Sequence, residues 1–454
     1  MTKLPEFWKT YVALIAVGGL VAYIFLVEQK REPSTGDKPK EKLFTLDKAK
    51  VKEITLGRTG GETIRLVKNG ADWRMAEPMA VAADGSAVEG LLSSLEGLEV
   101  QDEASANAAK LEDYGLATPR LQVTVVAEGA KEPLRLLLGG KLVDGSGVYA
   151  KVPDKPRVFT IASFVDSSLD KKPFDLRDRD FLKIKRDAVK TLAVVGPEGS
   201  YTLVRDEKGE WAFKAPLATR AGRWAVDGLL GSVENLRMDS VAAEDAKDLK
   251  PFGLDKPART LTLGLSDGST RVLEIGAPTA DKKYQVRQSG SAMVAVVPPA
   301  LVEELAKGMA NLRAKRLLEV ATYDVEGFDA TLAGAKKTYA KSTVKDKEGV
   351  ETSKWKTTAP DAKDLESSKV EDALFKVGGV EATELIDAPK ADAEYGLDAP
   401  AFQLAIRMGA GKGSSELKVG KKGTAAYARR SGDAAVLKLD AAKADELIKS
   451  FQEI

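Results

Sequence analysis

Tyr114-Gly115-Leu116-Ala117-Thr118-Pro119 is the stretch of sequence on which the interpretation of this chain rests. The same aromatic-Gly-Leu-x-x-Pro pattern returns as Phe252-Gly253-Leu254-Asp255-Lys256-Pro257 and again as Tyr395-Gly396-Leu397-Asp398-Ala399-Pro400. The three glycines are 138 and then 143 positions apart. Recurrence at a near-constant spacing marks an internal repeat. The pattern therefore predicts three copies of one structural module.

Alignment on this pattern divides most of the chain into three modules of similar length. We name them modules 1, 2 and 3, for residues 43–180, 181–316 and 317–454. Each module begins with alternating apolar residues typical of strands, followed by a tryptophan and an amphipathic helix, and then by further strands. Strand runs around one such helix indicate an α+β module rich in antiparallel sheet.

The recurring pattern itself is predicted to be structural. A glycine just past a short helical turn adopts the left-handed conformation that ends the turn, and the proline prevents the helix from resuming. In module 1 Leu116 is expected to fold back on Leu111, whereas Asp392 replaces that leucine in module 3. Each tryptophan is interpreted as a core anchor. The positions assigned to the repeat are Trp73, Trp211, Trp355, Tyr114, Gly115, Leu116, Pro119, Phe252, Gly253, Leu254, Pro257, Tyr395, Gly396, Leu397 and Pro400.

The N-terminal segment predicts a membrane anchor. Tyr11 to Val27 is a run of 17 residues without a charge, and the three residues before it extend the run to 20. About 20 apolar residues in a helix cross a hydrocarbon core roughly 30 Å thick. A cleaved signal peptide or a buried core helix are the alternatives, but no small-x-small cleavage site follows the run. We predict an anchor over residues 1–27 and a charged tether over residues 28–42.

The predicted fold class is thus an N-terminal transmembrane helix followed by three tandem, β-rich α+β modules. The predicted location is the bacterial inner membrane, with a single-pass anchor and an extracytoplasmic body. Basic residues after the apolar run, such as Lys30 and Arg31, conflict with this orientation under the positive-inside rule.

Composition excludes several kinds of chemistry. The 454 residues include neither cysteine nor histidine. Thiolate nucleophiles, cysteine-ligated metals and Ser-His-Asp triads are therefore impossible. A net charge of +1, from 69 basic and 68 acidic residues, provides no field that would attract nucleic acid. We predict no enzyme activity, no catalytic residue, no cofactor and no metal site, although a Ser-Lys dyad, a carboxylate pair or an all-oxygen calcium site remains possible in principle.

The motifs that superficially suggest chemistry are incomplete. The loop of residues 409–414 contains Gly-Lys, but a phosphate-binding loop needs glycine where Ile406 stands. Ser342 and Lys345 match Ser-x-x-Lys without any partner motif. Acidic residues alternate with arginines over residues 175–180, and those arginines would compete with calcium.

Several motifs together resemble a known bacterial family. The aromatic-Gly-Leu-x-x-Pro pattern, the tryptophan before it, the Leu-x-Leu/Ile/Val-Gly strand after it and a Leu-Arg junction occur in this order. The junction reads Leu176-Arg177-Asp178-Arg179 and Leu312-Arg313-Ala314-Lys315, and the third copy lacks it. From Leu43 to the end, the chain resembles the family known as domain of unknown function 4340. The resemblance implies membrane-anchored envelope components associated with ABC-2-type permeases and gliding-motility-type auxiliary proteins, and it offers no catalytic residues.

These observations lead to three hypotheses of function. The first is a non-enzymatic accessory or scaffold component of an ABC-type transport or gliding-type envelope complex. The alternative is a binding protein for an envelope ligand, a glycan or a peptide, and a carboxylate-dependent hydrolase is the third. The expected partners are the membrane and an ABC-type permease or auxiliary membrane protein, with no nucleic acid among them.

Overall fold

Three nine-stranded antiparallel sheets follow one another in the computed structural model, which describes residues 41–319, 321–345, 351–409 and 414–454. The chain divides into two compact units, Met1–Asp178 and Arg179–Ile454. The first sheet lies in the first unit, and the other two sheets lie in the second.

The elements of module 1 are nine strands and three helices. They are β1 Val51–Arg58, β2 Ile64–Asn69, β3 Asp72–Glu77, β4 Val81–Ala82, α1 Gly85–Glu96, β5 Glu103–Ser105, β6 Leu121–Ala127, β7 Leu134–Lys141, β8 Gly147–Lys151, β9 Val158–Ala162, α2 Ser163–Leu169 and α3 Pro173–Leu176.

Modules 2 and 3 repeat this series. Module 2 has β10 Val189–Val195, β11 Tyr201–Arg205, β12 Trp211–Ala215, β13 Thr219–Arg220, α4 Arg223–Glu234, β14 Ser240–Ala243, β15 Arg259–Leu265, β16 Thr270–Pro278, β17 Tyr284–Gln288, β18 Val294–Val297, α5 Ala300–Ala306 and α6 Gly308–Leu312. Module 3 has β19 Val325–Leu332, β20 Ala335–Lys345, β21 Glu351–Ala359, β22 Lys363–Leu365, α7 Ser367–Gly379, β23 Ala382–Ile386, β24 Phe402–Met408, β25 Ser414–Lys422, β26 Ala425–Arg430, β27 Val436–Leu439 and α8 Ala441–Gln452.

The strand order explains the place of the long helix in each module. In the first sheet the order is β4-β3-β2-β1-β6-β7-β8-β9-β5. Two four-stranded meanders therefore meet at β1 and β6, and α1 carries the chain from one edge of the sheet to the other. The second sheet, β10 to β18, and the third sheet, β19 to β27, have the same order, with α4 and α7 as their crossing helices.

The core of each module lies between the sheet and its crossing helix. Alternate residues of β1, such as Ile54 and Leu56, are fully buried, because successive side chains of a strand point to opposite faces. The crossing helix presents apolar residues at the i, i+3, i+4 and i+7 positions to this face. They are Val88, Leu91, Leu92 and Leu95 in α1, and Val226, Leu229, Leu230 and Val233 in α4, and all are buried.

Short segments before and after the modules add single β-bridges to the sheets. The segment that enters each module bridges a residue just after the crossing helix, and the segment that leaves modules 1 and 2 bridges the residue just after the fourth strand. The entry bridges are Lys42–Glu99, Asp180–Arg237 and Arg316–Glu381, and the exit bridges are Ala83–Arg177 and Ala221–Arg313. Each bridge lies within one of the two compact units.

The predicted fold class and the predicted location need correction. Among the described residues, no helix is long and apolar enough to span a membrane. The longest, Ser367–Gly379, has 13 residues, which is about 20 Å against a hydrocarbon core of roughly 30 Å. The predicted anchor, residues 1–27, lies outside the described residues. The transmembrane helix is therefore removed from the fold class, which becomes three β-rich repeats, and the single-pass inner-membrane location is withdrawn with it.

Candidate functional site

The aromatic-Gly-Leu pattern occupies the same place in each module, directly before the strand that pairs with the first strand. Its glycines have φ values of +64°, +64° and +65° and end short 3-10 turns, while the leucines after them are buried. They are Gly115, Gly253 and Gly396, followed by Leu116, Leu254 and Leu397. The prolines Pro119, Pro257 and Pro400 are half-buried.

This turn packs backbone to backbone against the second strand that follows it, which is β7, β16 or β25. A Cβ atom at Gly139 would lie 2.2 Å from the carbonyl oxygen of Tyr114, and one at Gly276 would lie 2.2 Å from that of Phe252. Gly420 stands in the same relation to Tyr395, at 2.5 Å. Only glycine fits such an approach, and this explains why Leu-x-Leu/Ile/Val-Gly accompanies the pattern. The aromatic rings of the turn also meet a tyrosine of the following strand, with centroids 5.1 Å apart for Tyr114–Tyr149 and for Tyr395–Tyr427.

A basic residue opposite each tryptophan was missed by the sequence interpretation. Trp73, Trp211 and Trp355 are buried, and the strand pairing places Lys68, Arg205 and Lys341 directly across from them. Each basic side chain donates to a carbonyl in the 3-10 turn before the module's first strand, over 3.3–3.5 Å. Four, five and thirteen residues separate the two members of the pairs. Because this spacing is uneven, alignment of the three copies by sequence does not reveal the pairing of a basic residue with each tryptophan.

Two carboxylates of module 1 that share an arginine are neutralised by ion pairs. Arg120 binds both Asp166 and Asp170, the second at 2.8 Å, and Arg58 donates to Asp170 at 2.9 Å. A shallow groove of about 270 Å³ lies nearby, lined by Arg58 and mainly by threonines. Within the described ranges, no group of three or more acidic side chains is placed to hold a metal ion.

The candidate site is the junction between modules 2 and 3, where one module completes the other. The Leu-Arg segment after α6 runs between them and forms isolated β-bridges with both. The amide of Gly222 donates to the carbonyl of Leu312 at 2.7 Å, and that of Ala314 donates to Arg220 at 3.2 Å. One step further, Ala382 of module 3 donates to Lys315 at 2.7 Å.

A carboxylate from module 3 caps the crossing helix of module 2. In module 1 the N-cap residue Asp84 accepts hydrogen bonds from the first amides of α1 at 3.0 and 3.1 Å. The equivalent residue of module 2 is Gly222, which has no side chain to do so. Instead Glu319 accepts from the amide of Arg223 at 2.5 Å. A Cβ atom at Gly222 would lie 3.2 Å from that carboxylate, so glycine leaves the space that Glu319 needs.

Two arginines make further contacts at the junction. Arg313 donates to Asp387 of module 3 at 3.0 Å and to Thr219 of module 2 at 3.2 Å. Arg430 is 4% exposed, pairs with the buried Asp433 and donates to the carbonyl of Arg316 at 2.8 Å.

Burial dominates the electrostatics of the junction. It raises the pKa of Glu319, against the opposing effects of the Arg223 amide and of Arg316 and Arg430. It also lowers the pKa of Arg430, although a guanidinium remains charged at any physiological pH. Charges desolvated in this way are costly unless paired, so the network favours one relative arrangement of modules 2 and 3. The junction thus brings together carboxylates, guanidinium groups and backbone groups of both modules.

Comparison with known proteins gives a family but no activity. The family model described as "Domain of unknown function (DUF4340)" matches residues 73–225, 211–400 and 355–454. Each match begins at one of the three tryptophans. No curated protein matches the sequence.

Three solved structures cover most of the chain at very low similarity. A DNA polymerase III beta subunit from Eubacterium rectale ATCC 33656 is 8% identical, covers 88% of this chain and 93% of its own, and has a TM-score of 0.18. The DNA polymerase III subunit beta from Pseudomonas aeruginosa is 8% identical over 87% and 94%, with a TM-score of 0.14. A DNA polymerase sliding clamp from the same organism, with ligand, is 9% identical over 88% and 93%, with a TM-score of 0.13. Scores this low carry no conclusion about this chain. The family matches, in contrast, extend over most of the sequence and recur once per module: the chain belongs to the DUF4340 family, a domain of unknown function.

Proposed function

We propose that this protein is a non-enzymatic scaffold whose modules bind partner proteins. The observation that carries the proposal is the junction of modules 2 and 3. Glu319 of one module caps the helix of the other, and Arg313 joins side chains of both. A buried charge network that holds two modules in one arrangement suits a scaffold, because a scaffold must keep its binding surfaces in a fixed relative position.

The ion pairs of Asp166 and Asp170 in module 1 support a binding role over hydrolysis. A general acid–base pair needs one carboxyl group free to exchange a proton with the substrate. Asp166 and Asp170 are instead held by Arg58 and Arg120.

The partner we propose is a subunit of an ABC-type transporter or of a gliding-type complex, for which this chain would be an accessory component. This partner class follows from the family resemblance of the sequence.

Copurification tests the proposal. Full-length tagged protein, cross-linked in cells and isolated in detergent, is expected to recover a permease or an auxiliary membrane protein in stoichiometric yield. The matched control is the same protein with Arg313→Ala and Glu319→Ala, in which recovery should fall because the surfaces of modules 2 and 3 are no longer held together. Recovery of cell-wall fragments without any protein partner would overturn the scaffold proposal.

A further inference from the structure

One surface of module 3 differs from its counterparts in modules 1 and 2. In module 1 the 3-10 turn Lys48–Lys50 packs against α1. Lys48 lies 3.2 Å from carboxylate oxygens of both Glu89 and Glu96, and donates to the hydroxyl of Ser93 at 3.1 Å. A lysine therefore neutralises the acidic face of this helix within the module.

Module 2 pairs an arginine of its turn with the carboxylate at the end of its crossing helix, while Asp227, at the position of Glu89, pairs with Arg223 of the helix. The turn Arg186–Ala188 packs against α4, and Arg186 lies 4.0 Å from a carboxylate oxygen of Glu234. Lys185 approaches the same carboxylate to 3.7 Å. In both modules the cation of the turn belongs to the same chain and the same module as the carboxylate.

Module 3 lacks this cation. The first buried valine of each crossing helix, Val88 in α1 and Val370 in α7, aligns Glu371 with Glu89 and Phe375 with Ser93. The turn still packs against the helix, but Thr322 stands where module 1 has Lys48.

The surface of α7 and its 3-10 turn, where module 3 lacks this cation, carries exposed acidic and aromatic side chains. Within the described part of the chain, neither Glu371 nor the adjacent Asp372 has a cation within 4 Å, whereas the lysines of α7 are taken by Glu366 and Glu446. Tyr323 is 78% exposed and Phe375 is 74% exposed. Side chains of this size are usually buried, and modules 1 and 2 have alanine, aspartate, serine or glycine at the two positions.

We propose that Tyr323, Glu371, Asp372 and Phe375 form a docking surface, here named the α7 surface, for an arginine-bearing segment of a partner protein. The partner supplies in trans the cation that Lys48 supplies within module 1. Two unpaired carboxylates attract a guanidinium, and its flat face stacks on exposed aromatic rings. The same carboxylates repel anionic lipids and nucleic acid. As to the existence of a protein partner, this inference rests on the proposed function.

Peptide binding to the full-length protein tests the chemistry of the surface. The probe is a fluorescein-labelled amphipathic peptide with two arginines one helical turn apart among leucines and alanines, and its control carries citrulline at both positions. Fluorescence anisotropy at low salt is expected to show about tenfold weaker binding of the arginine peptide to Glu371→Gln/Asp372→Asn than to the wild type. Phe375→Ser, which installs the module 1 residue, should weaken binding similarly. Glu89→Gln in module 1 should leave it unchanged, and equal binding to all four proteins would overturn the proposal.

Cross-linking in cells tests the occupant. With p-benzoylphenylalanine in place of Tyr323 and the rest of the α7 surface unchanged, the full-length protein is expected to give an adduct with a partner protein. Glu371→Lys/Asp372→Lys should abolish the adduct, and replacing the cross-linked arginine of the partner by glutamate should restore it. An adduct between two copies of this chain, or one that persists after the charge reversal, would contradict the proposed occupant.

The two proposals fail in different ways. If tagged Phe375→Ser recovers the partner in wild-type yield, the α7 surface is not the docking site but the scaffold function stands. If neither the wild type nor Phe375→Ser recovers any protein, the scaffold proposal itself fails.

Discussion

Truncating Glu319 to alanine is expected to loosen the first turn of α4, although this helix belongs to another module. The carboxylate accepts from the amide of Arg223 at 2.5 Å, and no side chain of module 2 can replace it because the N-cap residue is Gly222. Loss of a side-chain N-cap costs about 1 kcal/mol, within a range of roughly 0.5–2. One kcal/mol corresponds to about a fivefold change in an opening equilibrium. Hydrogen exchange of peptides containing residues 223–226 should therefore become about fivefold faster.

Asp84→Ala is the matched control, because it removes the same cap from α1 within a single module. It should accelerate exchange at the start of α1 and leave residues 223–226 unchanged. A second readout uses the absence of cysteine, which allows spin labels at cysteines placed at the exposed positions Lys190 and Lys418. Glu319→Ala should broaden the distance distribution of this label pair, whereas Asp84→Ala should not. If Glu319→Ala changes neither the exchange at residues 223–226 nor the label distances, the junction is not held by this carboxylate.

Three further changes probe the same physical reasoning. Burial raises the folded pKa of Glu319 above its ordinary value of 4.5. The contribution of Glu319 to the stability of the junction is therefore greatest below pH 4.5 and is lost as the pH rises through the folded pKa. Glu319→Gln should remove this contribution to the pH dependence of the label distances, and an unchanged pH profile would contradict the reasoning. Arg430→Met alone should destabilise module 3 by about 3–5 kcal/mol, because it strands the buried carboxylate of Asp433, and thermal unfolding should show that adding Asp433→Leu recovers most of the loss. Gly276→Ala places a Cβ atom 2.2 Å from the carbonyl oxygen of Phe252 and should lower the free energy of unfolding by at least about 1–3 kcal/mol. Gly228→Ala, on the open face of α4, should be neutral or stabilising. Similar melting temperatures for the two variants would refute the close approach.

Local patterns in the sequence predicted what depends on local geometry. The apolar spacing of Val88, Leu91, Leu92 and Leu95 predicted a helix with one buried face, and that face packs on the sheet. The repeat of aromatic-Gly-Leu-x-x-Pro predicted the number of copies, and the family matches recur in the same three places. Periodicity works at this level because burial on one face imposes a fixed spacing on the residues of one helix or strand.

The remaining features depend on residues that are far apart in the chain. Glu319 caps a helix that begins almost a hundred residues earlier, and no local spacing relates a glycine N-cap to a distant glutamate. The close approach of Gly139 to Tyr114 depends on the register in which β6 pairs with β7, which no local pattern specifies. The membrane anchor is the opposite case, a feature that the sequence predicted and that no described helix matches. A run without charges is compatible with a spanning helix, but hydropathy alone could not show that the folded chain contains one.

Two differences between the copies follow the same pattern. Module 2 has Gly222 where module 1 has the capping Asp84, and the missing carboxylate arrives as Glu319 of the next module. Module 3 has Thr322 where module 1 has Lys48, and on our proposal the missing cation arrives from a partner. In each case the fold keeps one member of the pair, a helix amide that donates or a helix carboxylate that accepts, and the group that satisfied it within the module is absent. Module 2 has exchanged a contact within the module for a contact with module 3, and on our proposal module 3 has exchanged one for a contact with a partner.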